Sequence, residues 1–337
     1  MARRAPSSVD IVPDPKSIQI VSAVCRLAGP LSIFDDLRKS LGRHGVIGAV
    51  RSHRSDKIFD WLMTEFSQQG ISDRAAQGYI ARHGNLSFAS IEAALAADVD
   101  CPKLAGHWTF HRCGYRKSTQ TCNEPSHFPA CSLPTADLRN GRLNQLGYSL
   151  YFFIRDVADG DLVAWIDAQL KASAPAQHTE TGPLTRLIEP MQSIFGVSDK
   201  VLSMALSALM LGTGHQKPRW MQAGINFVVV DRLVHNFLAR TGILARASAD
   251  HPYGPRCYGP NGCADQIRAI AKAIDAHAFN AGFPRDFPRF VQLAIWCFCA
   301  EGVLNICNGR RIPRRQSCRN EYCSLYHVCE RRPLVQK

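Results

Sequence analysis

The chain has 337 residues, of which 46% are apolar and 20% charged, enough for one large or two medium domains with a real core. No apolar run reaches the roughly 18 residues needed to cross a bilayer; the longest, near residues 201–211, is interrupted by Ser203 and Ser207. Lys and Arg number 40 against 28 Asp and Glu, a net charge of +12, which favours a polyanionic partner, most commonly nucleic acid.

Near the N-terminus, Arg3 and Arg4 are followed by Asp10, Pro13 and Asp14, where a signal sequence needs an apolar core. Neither a signal peptide nor a membrane anchor is expected. The 13 cysteines are odd in number and crowd toward the C-terminus. That pattern suits metal ligation in a reducing, intracellular compartment better than a disulfide framework.

Residues 1–16, polar and proline-rich, read as a loose arm, and a first helix is predicted over 18–27. From Lys57, the spacing of Ile58, Leu62 and Phe66 marks one helix face. Ser72 reads as the N-cap of a next helix carrying Ala76, Tyr79 and Ile80 and ending at Asn85. A third runs over 90–97. Residues 101–140 hold Cys101, Cys113, Cys122, Cys131 and several histidines with little periodicity, and read as a loop-rich insertion. Helices are then predicted at 143–157, 162–170, 184–195, 200–211 and 228–241. A Gly/Pro/Cys-rich loop over 248–263 leads to helices at 264–279 and 287–300 and a cysteine-rich tail. No strand-like alternation and no repeat of fixed period occurs, so the fold class is mostly α.

The stretch Ile194-Phe195-Gly196-Val197-Ser198-Asp199-Lys200 joins two predicted helices through a short turn. Gly196 permits the tight backbone, and Ser198 or Asp199 can cap the second helix, whose N–H groups suit a phosphate. Lys200 falls in the first turn, where the helix dipole disfavours a cation and should lower its pKa, making a better amine nucleophile; an ordinary surface lysine fits the same position. Asp231 follows the apolar run Phe227-Val228-Val229-Val230 and reads as a partly desolvated acid, as an N-cap, or as both.

The tail reads Cys307-x10-Cys318-x4-Cys323-x5-Cys329. Four thiolates in a short polar segment can close a zinc site or hold a four-iron cluster, and spacing alone does not separate them. Arg310, Arg311, Arg314 and Arg315 lie between the first two cysteines, on a loop that a metal would brace for phosphate contact. Cys113-x8-Cys122-x4-His127-x3-Cys131 has the residue types of a possible zinc site, with Cys101, His107 and His111 as nearby competitors. Cys257-x5-Cys263 is a metal half-site or two thiols in a loop, and Cys297 and Cys299 read as core residues on a helix.

Gly196-Val197-x-x-Lys200, followed by a buried helix and then by Val-Asp231 opening another, resembles the helix-hairpin-helix DNA glycosylase superfamily, in its endonuclease III-like branch. The resemblance implies a two-lobed helical fold in which Lys200 attacks the sugar C1′ and Asp231 assists base departure, the two facing one another in a groove. It also implies that Gln69, or Gln68, in the segment from Leu62 to Asp73, fills the space left by a flipped base. The resemblance favours a [4Fe–4S] cluster on the four C-terminal cysteines. Departures are Ser198 in place of a second hairpin glycine, Arg232 after the aspartate, a longer Lys200–Asp231 interval through an insertion around 212–224, and longer first cysteine intervals.

The organisation expected is a flexible arm (1–16), a discontinuous lobe (17–56 with 226–332) holding the cluster, and a multi-helix lobe (57–225) ending in the hairpin. The function expected is a monomeric, cytoplasmic, nucleoid-associated DNA glycosylase with AP lyase activity. A catalytically silent DNA-binding protein on this scaffold and a zinc-module protein binding RNA or protein are the alternatives.

Overall fold

The computed structural model describes residues 11–28, 31–67, 73–84, 86–97, 101–116, 118–119, 121–125, 131, 142–172, 182–308 and 312–334. In chain order the helices are α1 (Pro15–Ala28), α2 (Ile33–Arg43), α3 (Val46–Arg51), α4 (Ser55–Ser67), α5 (Asp73–His83), α6 (Phe88–Ala96), α7 (His107–Phe110), α8 (Arg142–Phe152), α9 (Leu162–Ala172), α10 (Gly182–Met191), α11 (Asp199–Thr213), α12 (Pro218–Asn226), α13 (Arg232–Arg240), α14 (Ile243–Arg246), α15 (Cys263–Lys272) and α16 (Pro288–Cys299). Among the described residues the extended pairing is a single bridge, Arg116 to Thr121. The protein is therefore mostly α, as its apolar periodicity predicts. No single helix among the described residues is long and apolar enough to cross a membrane.

The chain divides into two compact units, Met1–Ile33 with Gly224–Lys337, and Phe34–Ala223. In the first unit α1 packs along α16, burying Ile20, Val21 and Val24 on one helix and Phe290, Val291 and Ala294 on the other. Residues 11–16, expected within a loose arm, are tied down: Asp14 accepts from Ser17 N–H at 3.0 Å and from Arg246 Nε at 3.0 Å. The same Arg246 reaches Thr241 O at 3.1 Å and the Glu330 carboxylate, so one guanidinium joins the start of α1 to the tail.

In the second unit the predicted α4 face is buried at Ile58, Leu62 and Phe66. Residues 34–56, expected with the other lobe, pack here: α3 buries Val46, Ala49 and Val50 beside α4, and Leu41 of α2 lies against Gly212 of α11. Within the presumed insertion, α7 buries His107 and Phe110, and the Phe110 ring meets Phe152 at 5.3 Å and Phe195 at 5.8 Å. That part of residues 101–140 is thus core. α6 opens with a capping box, Ser87 and Ser90 exchanging backbone and side-chain bonds, two residues before the predicted start. The expected caps Ser72 and Asn85 lie outside the described residues.

Three predicted helices are shorter than expected. Residues 227–230 are not helical: all four apolar residues are buried, and Val230 N–H finds its partner in Tyr258 Oη at 2.8 Å rather than in a helical turn. α10 stops at Met191, just after Pro190, and the chain turns at Gly196. α15 stops at Lys272 and is followed by a separate turn, Ala276–Ala278, capped by Asp275. After α8 the helix widens into a π turn over Phe153–Val157.

The region around 212–224 is not a loose insertion. α11 runs on to Thr213, and α12 buries Trp220 completely, with the indole Nε1 donating to Asp167 Oδ1 at 2.6 Å and Lys217 Nζ donating to Oδ2 at 2.5 Å. Removing the acceptor leaves a buried indole N–H unpaired. Asp167→Ala is expected to destabilise the protein by about 1–3 kcal/mol and Asp167→Asn by less, read as shifts in the urea midpoint.

Candidate functional site

The hairpin belongs to the second unit. α10 leads through Ile194 and Phe195 to Gly196 at φ 73°, a left-handed conformation that favours glycine. Phe195 N–H donates to Ser149 Oγ at 3.2 Å, and Gln192 Nε2 donates to Asp199 Oδ1 at 2.7 Å, holding both sides of the turn. Ser198 is the N-cap of α11 by backbone conformation (φ −101°, ψ 160°), yet its side chain makes no capping bond. The first turn of α11 therefore presents N–H groups that no Ser198 hydroxyl covers. Gly196 and Ser198 are exposed, and Lys200, in that first turn, is half-buried. Gln68 and Gln69 lie outside the described residues.

Asp231 belongs to the first unit. It ends the buried run 227–230 and caps α13, its Oδ1 accepting Val234 N–H at 2.9 Å. Both sequence readings hold in part: the acid is half-buried and it is a cap. Arg232 beside it is exposed, its guanidinium 5.6 Å above the Tyr253 ring. Lys200 and Asp231 are thus carried by different units.

The four tail cysteines are brought together. Cys307, Cys318, Cys323 and Cys329 line one pocket together with Phe298 and Arg240. Arg240 is 1% exposed and donates to the carbonyls of Ile312 (3.1 Å), Pro313 (3.3 Å), Gln316 (3.4 Å) and Arg332 (3.5 Å). Burial lowers its pKa, and the charges of Cys307, Cys318 and Cys329 act against that shift. A buried cation bonded to neutral carbonyls needs a counter-charge; burial pushes the Cys323 and Cys329 thiols up, so the sulfurs would supply that charge as thiolates once they ligate a metal. Arg331 N–H donates to Cys329 Sγ at 3.3 Å, a bond suited to a ligating sulfur. Cys299, expected as core, is fully buried but also hydrogen-bonds Cys307, which draws the Cys307 thiol down and pushes its own up. On the outer side of the loop Arg314 and Arg315 are exposed, as is Tyr322; Arg310 and Arg311 lie outside the described residues.

Of the possible zinc group, Cys113 and Cys122 are close enough to Cys101 for their charges to add to the rise that burial imposes on the Cys101 thiol. Cys113 Sγ accepts from Gln145 Nε2 at 3.6 Å, and Cys131 acts on Tyr115 and Tyr148. His127 lies outside the described residues.

A further group assembles around α13. His235, His251, Cys257 and Cys263 present ligand atoms that all lie within 4.8 Å of one another, a set that can hold a metal ion. Among the described residues it is this set, and not the tail cysteines, that closes to single-ion spacing. The Cys257 thiol is drawn well down, by a hydrogen bond from Cys263 foremost and one with His235 further on, while Cys263 is pushed up. Gly262 sits where the knuckle is tightest: a Cβ there would meet Arg256 O at 2.2 Å and Gly259 O at 2.8 Å. The sequence reading had the Cys257-x5-Cys263 half-site but neither histidine. The full spacing is His235-x15-His251-x5-Cys257-x5-Cys263.

Compared with known proteins, the chain matches no family model, no curated protein and no solved structure. The functional reading therefore rests on the residues themselves.

Arg240→Met is expected to cost about 3–5 kcal/mol, since four carbonyls lose their donor and the sulfurs lose their cation. Arg240→Lys should recover only part of this, because an ammonium cannot reproduce the planar fork. Chemical denaturation of the three proteins measures both.

Proposed function

We propose that the protein binds DNA and excises a base held outside the duplex, with Lys200 as the amine nucleophile and Asp231 as the acid that assists. The observation that carries this reading is the hairpin between α10 and α11. A left-handed Gly196 leads into a helix whose N-terminal turn has no side-chain cap from Ser198 and carries a half-buried lysine. Such a turn suits one backbone phosphate, and an amine beside it is within reach of the adjoining sugar. The exposed Arg314, Arg315 and Tyr322 on the cysteine-bearing loop, with the net charge of +12, add a second surface suited to a phosphate backbone.

In this reading the base is extruded because its glycosidic bond is out of reach inside the stack. The Lys200 amine adds to C1′ as the C1′–N bond breaks, and the base leaves with a proton. The nitrogen then gives up its second proton as its lone pair expels O4′ from C1′; the sugar ring opens, O4′ takes up a proton, and an imine remains between the lysine and C1′. Removal of a C2′ proton then expels the 3′ phosphate, and water releases the lysine. Asp231 takes up and returns protons in these steps.

The tail pocket is proposed to hold a [4Fe–4S] cluster on Cys307, Cys318, Cys323 and Cys329. Its support is the donor set, the buried Arg240 cation, and sulfurs that line one pocket without closing to single-ion spacing. When bound, the cluster would brace the loop that carries Arg314 and Arg315.

Borohydride reduction during reaction with a panel of lesion-bearing duplexes is expected to trap a covalent adduct in the wild type and none in Lys200→Ala. Trapping by Lys200→Ala equal to wild type removes Lys200 as the nucleophile, and tight binding with no base released from any lesion leaves a DNA-binding protein without the chemistry. Asp231→Asn should slow base release by about 10²–10⁴-fold. Arg314→Ala with Arg315→Ala should lower the salt dependence of DNA binding by about 2 in log–log slope.

A further inference from the structure

Four side chains left unused by the proposed chemistry meet at one point in the first unit. His235 comes from α13, His251 and Cys257 from the loop that follows α14, and Cys263 is the first residue of α15. Three of the four are buried and His251 is half-buried. His235 Nδ1 lies 3.3 Å from Cys263 Sγ and 3.6 Å from Cys257 Sγ, and His251 Nε2 lies 3.4 Å from Cys263 Sγ.

These separations have a simple geometric meaning. Zinc binds thiolate at about 2.3 Å and imidazole at about 2.0–2.1 Å, and the edge of a tetrahedron is about 1.6 times its centre-to-corner distance, so neighbouring ligand atoms sit roughly 3.3–3.8 Å apart. The three distances between sulfur and nitrogen fall in that window. Two thiols and two imidazoles gathered for packing alone would have no reason to bring all four donor atoms within 4.8 Å of one another.

We propose that His235, His251, Cys257 and Cys263 bind one zinc ion in a closed, structural site. The mixed sulfur and nitrogen donors suit zinc, and four protein ligands leave no open position for water or substrate. The outer contacts agree. His251 Nδ1 donates to Ala249 O at 2.6 Å, which leaves the Nε2 lone pair for the metal. Tyr258, between the two cysteines, is bonded through its hydroxyl to both N–H and O of Val230, so the loop is fastened to the buried run before Asp231. The metal would therefore lock the loop, α13 and α15 together one turn from the Asp231 cap. It is a site distinct from the tail pocket, and it does not depend on the DNA reading.

The test uses the full chain, expressed with zinc supplementation and purified without chelator. Elemental analysis is expected to give about one zinc per chain attributable to this site, and zinc-edge X-ray absorption a shell of two sulfurs and two nitrogens. Cys257→Ser with Cys263→Ser should lose that equivalent of zinc while iron and visible absorbance stay unchanged. Should that variant fail to fold, His251→Cys retains four ligands and is expected to keep the zinc while the shell moves to three sulfurs and one nitrogen. The proposal is overturned by wild-type protein that holds no zinc after reconstitution, by zinc retained in the double variant, by a shell unchanged in His251→Cys, or by thiol counting that finds Cys257 and Cys263 joined as a disulfide.

Discussion

Arg240 is an almost fully buried guanidinium whose partners are backbone carbonyls of the C-terminal tail. Among the described residues the tail after α16 has no α-helix and no strand; its backbone pairs instead through turns and isolated bonds such as Cys318 N–H to Arg331 O at 3.3 Å. Buried carbonyls left unpaired are costly, and one planar fork with several donors is an economical way to satisfy four of them. Arg240 backbone O accepts Arg332 N–H at 2.9 Å, so the helix end both donates to and accepts from the tail. The placement of the four tail cysteines follows from this: the carbonyls that Arg240 gathers flank Cys318, and Cys329 Sγ reaches back to Arg240 O at 3.8 Å.

The same short helix serves two other ends. Asp231 caps its start, His235 enters the His/Cys group one turn later, and Arg240 closes its last turn. Its buried face, Val234, Phe237 and Leu238, holds it against α16, where Phe237 meets Phe298 at 5.9 Å. His235 and Arg240 are displaced from that apolar stripe, to opposite sides, by the 3.6-residue period. α13 is therefore the element through which the acid of the proposed chemistry, a candidate single-ion site and a candidate cluster site share one rigid support.

The two cysteine centres differ in donor spacing. Donor atoms 3.3–3.6 Å apart fit around one ion. The four tail sulfurs line one pocket without closing to that spacing, and the buried Arg240 cation would balance the negative charge that thiolate ligation would bring. Both centres lie in the first unit, while the hairpin and Lys200 lie in the second. The proposed DNA chemistry thus draws its amine from a unit whose described helices form a conventional apolar core and its acid from a unit held by sulfur-rich loops.

Much of the helical framework could be read from the chain. Ile58, Leu62 and Phe66 share a face because their spacing matches the helical period, and Gly196 marks a turn because few other residues accept a positive φ. The tail cysteines could be grouped because they are close in sequence, and the Asp231 cap because it stands before a helix. The non-helical run 227–230 could not, since four successive buried apolar residues carry no period, and the partner of Val230 N–H, Tyr258, lies 28 residues away. Nor could the meeting of His235 and His251 with Cys257 and Cys263. Local pattern is set by the geometry of neighbouring residues, whereas the convergence of donors from a helix, a loop and a second helix depends on the path the loop takes between them, and that path is decided only when the core has packed.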